Sequence, residues 1–112
     1  MADSFEKRQK GFEAKWAHDE ELRFKVYARR NKLLGLWAAN EMGIAADKAD
    51  AYAKEVVAAD FEKPGEEDVF EKVRRDFDAK GVALSDHIVR RQMESLLEVA
   101  KGQIETETAA KK

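Results

Sequence analysis

Side chains that could carry out acid–base or metal chemistry are few and scattered in this sequence. Its two histidines, His18 and His87, lie far apart, and it has no cysteine. His18 precedes the acids Asp19, Glu20 and Glu21, but consecutive residues point to different sides of a helix, and no second set of ligands follows at metal-binding spacing. We therefore expect surface histidines, no metal site and no bound cofactor.

Sequence signatures of catalysis and of phosphate binding are equally scarce. The chain contains neither a GxGxxG nor a GxxxxGK[ST] loop, and no histidine can be placed beside its serines. One cluster of positive charges could attract a nucleotide phosphate, and it consists of Arg29, Arg30 and Lys32. Because surface charges are screened by salt, we expect at most weak, millimolar-class affinity for ATP or ADP. The sequence predicts a protein that is not an enzyme, and a weak nucleotide-binding helical module is one alternative.

The composition is that of a highly charged but nearly neutral domain. Of the 112 residues 39% are charged, yet the net charge is only −2 because acids and bases are interspersed. Such a surface is poorly suited to nucleic acid. No apolar run approaches the roughly 20 residues of a membrane span, and the first ten residues lack the apolar stretch of a signal peptide. We expect one cytoplasmic domain that neither binds nucleic acid nor inserts into the membrane.

The stretch from Glu20 to Gly43 predicts the helix around which the others pack. Its apolar residues recur at three- and four-residue steps and spread over more than one face, which is typical of a central helix in a bundle. The face expected to be buried comprises Leu22, Val26, Leu33, Leu36, Trp37 and Asn40. We expect Trp37 to lie buried at the centre. Acids at the start suit the positive end of a helix, and Gly43 is a typical left-handed stop.

Three further helices follow from the same periodicity. The four predicted helices cover residues 20–42, 46–60, 66–79 and 86–102. Pro64 disfavours helix between the second and third, Gly81 ends the third, and Ser85 can cap the last. No stretch alternates with a period of two for long enough to indicate a strand. We predict an all-α fold, a four-helix bundle over 20–104, followed by a disordered polar tail at 105–112.

Residues 1–19 form a different kind of segment, which we expect to be a mobile N-terminal arm. Most of its residues are charged or small, and such a segment cannot offset the entropy of ordering itself. Phe5, Phe12 and Trp16 are the exceptions, and steps of seven and four place them on one side of a helix. Two interpretations remain open. The aromatic residues dock on the domain's own core, or the segment is a binding arm that orders on a partner.

Three long stretches of the chain resemble one known family. They are HDEELRFKVYARRNKLLGLWAA at 18–39, AYAKEVVAADFEKPGEEDV at 51–69 and DHIVRRQMESLL at 86–97. All three are similar to the zeta subunit of alphaproteobacterial F-type ATP synthases, and the similarity extends from Phe5 to about Ala100. The resemblance implies a four-helix bundle with a mobile arm, and a protein inhibitor of the synthase.

The same resemblance implies a mechanism and a set of contact residues. In the family the arm enters the catalytic head, which contains the alpha, beta and gamma subunits, and blocks the rotation driven by ATP hydrolysis. The implied partner-binding residues of the arm are Phe5, Lys7, Arg8, Gln9, Lys10, Phe12, Lys15 and Trp16. The implied location is the cytoplasmic side of the membrane-bound synthase, and we expect the free protein to be a monomer. A non-inhibitory adaptor on the same complex is the second alternative.

Overall fold

The computed structural model of this chain is an all-α protein. It describes residues 12, 15–16, 18–62 and 66–110, with only the backbone of 61 and 62. The four helices are α1 (Glu20–Glu41), α2 (Ala46–Glu62), α3 (Glu66–Lys80) and α4 (Asp86–Ala110), and the described residues contain no strand. This confirms the predicted four-helix bundle. Within these ranges no helix is long and apolar enough to cross a membrane.

The ends of the helices follow the local signals in the sequence. The Asp19 carboxylate accepts a hydrogen bond from the Leu22 amide at 3.1 Å, and so caps the start of α1. The Ser85 hydroxyl accepts one from the Ile88 amide at 3.3 Å and caps α4 in the same way. Gly43 and Gly81 follow α1 and α3 with φ of 73° and 74°, a conformation that glycine adopts without strain.

Helix α1 lies at the centre of the bundle, as predicted, because it packs most extensively against both α2 and α4 and also contacts α3. The buried apolar side chains form two clusters. The main core contains residues from all four helices, namely Leu34, Ala38, Ala39, Tyr52, Val56, Val69, Phe70, Val73, Phe77, Val89 and Met93. The second core lies between the first half of α1 and the second half of α4, and contains Trp16, Leu22, Val26, Ala100 and Ile104.

The buried face of α1 differs in part from the predicted one. Asn40 is exposed, whereas Arg30 and Asn31 are buried. Trp37, predicted at the centre, is only partly buried and packs against the edge of the main core. Its ring meets the fully buried ring of Phe77 edge-on, with centroids 5.7 Å apart. Phe77 of α3 is the fully buried aromatic residue of the main core instead.

Helix α4 continues beyond its predicted end near residue 102, and reaches Ala110. Two contacts with α1 explain the extension. Ile104 is buried in the second core, and the Arg29 guanidinium donates to both carboxylate oxygens of Glu107, at 2.6 and 2.9 Å. Arg29 also donates to the Gln103 amide oxygen at 2.9 Å. The segment assigned to a disordered tail is therefore helical as far as Ala110, and positions 111 and 112 lie outside the described residues.

A buried polar link joins α2 to α3. The Tyr52 hydroxyl donates to the Asp76 carboxylate at 2.7 Å, and Lys72 Nζ donates to the same oxygen at 2.9 Å. Burial, together with the bond to Asp76, raises the pKa of Tyr52 far above its usual value. The hydroxyl therefore stays protonated to a higher pH than an exposed tyrosine would.

The close approach of α1 to α2 gives a first prediction, for the Gly35→Ala substitution. A Cβ atom at Gly35 would lie 2.6 Å from Ala53 Cα, which is backbone and cannot move aside easily. We expect this change to lower the free energy of unfolding by about 1–3 kcal/mol, measured by urea denaturation. Gly102→Ala is the matched control. No atom lies within 4 Å of a Cβ there, so that change should be neutral or stabilise by up to about 1 kcal/mol. Equal effects of the two changes would contradict the close helix contact.

Candidate functional site

The predicted partner-binding arm is only partly within the described residues. Five of its predicted contact residues lie outside them: Phe5, Lys7, Arg8, Gln9 and Lys10. Phe12, Lys15 and Trp16 are described, and all three have helical backbone. The described part of the arm is therefore the part next to α1.

Trp16 lies in the second core and is only 9% exposed. It packs with Leu22 and Val26 of α1 and with Ala100 and Ile104 of α4, and Phe12 is partly buried against the same cluster. For these two aromatic residues the structure favours docking on the protein's own core. The second core therefore includes a side chain from the segment that precedes α1.

Two further side chains hold the Trp16 ring. The ring of Tyr27 meets it at a tilt of 57°, with centroids 5.9 Å apart. Lys101 Nζ lies 4.7 Å from the centroid of the Trp16 ring, at a distance typical of a cation–π contact, and it also forms an ion pair with Glu98 at 3.0 Å. We call Leu22, Val26, Tyr27, Ala100, Lys101 and Ile104 the Trp16 seat.

A short turn connects Trp16 to α1. The carbonyl oxygen of Lys15 accepts hydrogen bonds from the amides of His18 and Asp19, at 3.1 and 3.0 Å. Asp19 then caps α1. The side chains of Lys15 and His18 are exposed. In the described part of the chain, no three His, Cys, Asp or Glu side chains are grouped so that they could hold a metal ion.

The three predicted phosphate-binding residues do not converge on one site. Arg29 binds Glu107 of α4, and Lys32 is exposed. Both line a surface cavity of about 520 Å³ between α1, α2 and α4. Arg30 does not line this cavity, and its side chain is only 1% exposed.

Arg30 instead makes a buried polar contact within the bundle. Its guanidinium lies 5.2 Å from the centroid of the Tyr27 ring, and Nη1 lies 3.6 Å from the Glu66 carboxylate at the start of α3. Nε donates to the Asn31 amide oxygen at 2.7 Å. Burial lowers the pKa of Arg30, and the Glu66 carboxylate opposes this shift.

The sequence prediction assigned Arg30 to a phosphate-binding cluster, and it missed Tyr27 and Lys101. Arg30 lies four residues from both Val26 and Leu34, and this spacing places it on a buried face of α1. Tyr27 lies outside the predicted buried face of this helix, and its spacing in the sequence does not point to a site. Nothing in the local sequence marks Lys101, since its partner Trp16 lies far away in the chain.

Comparison with known proteins agrees with this architecture. The family model for ATPase inhibitor subunit zeta matches residues 1–103 of the chain. A protein solved by solution NMR is 50% identical, with a TM-score of 0.68, over 77% of this chain and 98% of its own. No curated protein matches. Since the family match spans both the arm and most of the bundle, this chain belongs to the family of the ATPase inhibitor subunit zeta.

Proposed function

We propose that this protein inhibits ATP hydrolysis by an F-type ATP synthase, and that the segment preceding Phe12 carries the inhibition. The observation that supports this most directly is the extent of the family match, which begins at residue 1 and so includes the arm. The protein acts by binding and not by catalysis, and it requires no cofactor. Its partner surface lies in the catalytic head, at an interface of the alpha and beta subunits close to the gamma rotor.

The Trp16 seat divides the arm into two parts. Phe12 and Trp16, which were predicted as partner anchors, bury their rings against the bundle. The partner contacts therefore fall to residues 1–11, in which Phe5 is the one aromatic side chain and Lys7, Arg8 and Lys10 are cations. Burying Phe5 on the partner contributes roughly 1.5–3 kcal/mol before ordering costs, and the cations favour an acidic surface around it. Gln9 adds a polar contact within this segment, and the exposed Lys15 adds one beyond it.

This proposal also places the protein on the synthase. The protein binds as a peripheral subunit, on the side of the membrane where the catalytic head lies, which is the cytoplasmic side in bacteria. It binds the head without inserting into the bilayer. Between binding events it is a monomer, in which the bundle is folded on its own two cores.

The Phe5→Ala substitution tests the proposed anchor. Central aromatic residues dominate the affinity of many interfaces, so the concentration for half-inhibition should rise about tenfold or more. The measurement is a titration of purified synthase, with ATP hydrolysis as the readout. Ile88→Ala is the matched control, because Ile88 is a large apolar residue that is 44% exposed near the start of α4, whereas the Trp16 seat uses the second half of that helix. If Phe5→Ala inhibits as well as Ile88→Ala, then Phe5 is not an anchor.

A further inference from the structure

Trp16 belongs to the predicted arm, yet its ring is buried in the Trp16 seat on the bundle. The seat takes its residues from α1 and α4, and among the side chains that the structure describes none from α2 or α3 belongs to the second core. It covers the Trp16 ring with aliphatic side chains, the Tyr27 ring and the Lys101 ammonium group. Tyr27 is in turn held by Arg30, which contacts Glu66 at the start of α3. The orientation of the ring is therefore fixed by several independent contacts.

The same contacts hold helical backbone at Lys15 and Trp16, where the chain leads into α1. Phe12, Lys15 and Trp16 have helical backbone, and the Lys15 carbonyl is hydrogen bonded to the chain that leads into α1. Starting a helix is the costly step of helix formation, with a nucleation constant on the order of 10⁻³, whereas each added residue costs little. A turn held by tertiary contacts removes this cost for the residues that precede it.

We propose that Trp16 is a positioning residue, whose seat supplies the nucleus of the helix that residues 1–11 form on the partner and fixes the direction in which this helix leaves the bundle. The inference rests on the proposed function, because it concerns how the inhibitory segment is presented. Phe12 assists Trp16, since it packs against the same cluster. Tyr27 and Lys101 act through Trp16 by keeping its ring in place.

The direction of the arm follows from the rigidity of the seat. With Trp16 in its seat, the chain is anchored to the bundle at Trp16, close to the inhibitory segment. Without it, the chain is anchored only at Asp19, where α1 begins. A longer and undirected tether lowers the effective concentration of the segment at its site. Loss of the seat therefore weakens inhibition through two routes, the helix nucleus and the tether.

Substitutions at Trp16 in the full-length protein test this proposal. We expect Trp16→Ala to raise the concentration for half-inhibition of ATP hydrolysis about tenfold, which is a fraction of the full nucleation penalty. Trp16→Phe keeps an aromatic ring in the seat and should stay within about threefold of the parent. Met93→Ala is the control for stability, because Met93 is 3% exposed in the main core, outside the seat. It should lower the melting temperature but inhibit like the parent, at a temperature at which all variants are folded.

A rescue experiment separates positioning from simple stabilisation of the bundle. Gly11→Ala raises helix propensity next to Phe12 and should restore inhibition several-fold in the Trp16→Ala background. It should leave the melting temperature of that variant nearly unchanged. If Trp16→Ala inhibits like the parent, or if Gly11→Ala rescues nothing, the proposal is overturned and Trp16 serves stability alone.

A second measurement, made without the synthase, tests whether the Trp16 seat promotes helix formation in the preceding residues. Trifluoroethanol titrations of the full-length parent and of Trp16→Ala, followed by Cα chemical shifts of residues 5–11, report helix formation in the segment. The parent should become helical at a lower alcohol concentration, because its helix starts from a held turn. If the parent and Trp16→Ala give identical titrations, the seat does not supply a helix nucleus and the proposal is overturned. Failure of the proposed function gives a different pattern, in which neither the parent nor any variant slows ATP hydrolysis while the shifts still differ.

Discussion

Deletion of residues 1–11 is expected to abolish inhibition of ATP hydrolysis while leaving the four helices folded. No described buried residue precedes Trp16, and both cores are complete without the deleted segment as far as the described residues show. The melting temperature should therefore change little, while the proposed partner contacts are lost entirely. The measurement pairs thermal unfolding of the protein, followed by circular dichroism, with ATP hydrolysis by purified synthase.

A longer deletion provides the control for this boundary. Removal of residues 1–17 also takes Trp16 out of the second core, and should cost roughly 1.5–3 kcal/mol of stability through the lost burial of one large side chain. The buried face predicted from the sequence begins at Leu22, and on that basis the longer deletion would cost no stability. If both truncated proteins have the melting temperature of the parent, the Trp16 seat does not contribute to the stability of the fold.

Phe77→Ala is expected to be among the most destabilising single substitutions in the bundle. Phe77 of α3 is fully buried in the main core, where its ring packs against the ring of Trp37. Truncation of a fully buried phenylalanine leaves a cavity that the surrounding helices fill only in part, at a cost of about 3–5 kcal/mol. We expect a smaller loss for Trp37→Ala, because Trp37 is only partly buried.

Urea denaturation of Phe77→Ala measures this loss, and Val99→Ala is its control. Val99 is a large apolar residue that is 44% exposed on α4, so its truncation should change the free energy of unfolding by no more than about 0.5 kcal/mol. A cost of Phe77→Ala as small as that of Val99→Ala would contradict the position of Phe77 at the centre of the main core.

The fold could be predicted because its signals are local and repeated. In α3, Val69, Phe70, Val73 and Phe77 recur at helical spacing, and all four are buried in the main core. Capping residues and glycines mark the ends of the helices independently of this pattern, as Ser85 does for α4. The apolar periodicity and the signals at the helix ends agree, so the number and order of the helices follow from the sequence.

The details of the site depend on contacts between distant parts of the chain, which no local pattern contains. The extension of α4 rests on the bond between Arg29 and Glu107, two residues that each look like ordinary surface charges in the sequence. Arg30 is charged, and its burial follows from tertiary contacts with Tyr27 and Glu66. Trp16 fits an aromatic binding arm equally well by spacing alone. Only the position of α4 decides that its ring is buried on the bundle.

The most direct test of the central claim is the rate of ATP hydrolysis by purified F-type ATP synthase, titrated with the full-length protein, with binding measured in the same samples. We predict that hydrolysis falls as the protein binds and approaches zero when every catalytic head is occupied. An unchanged rate on a fully occupied synthase would contradict the inhibitory function and leave a non-inhibitory adaptor on the same complex.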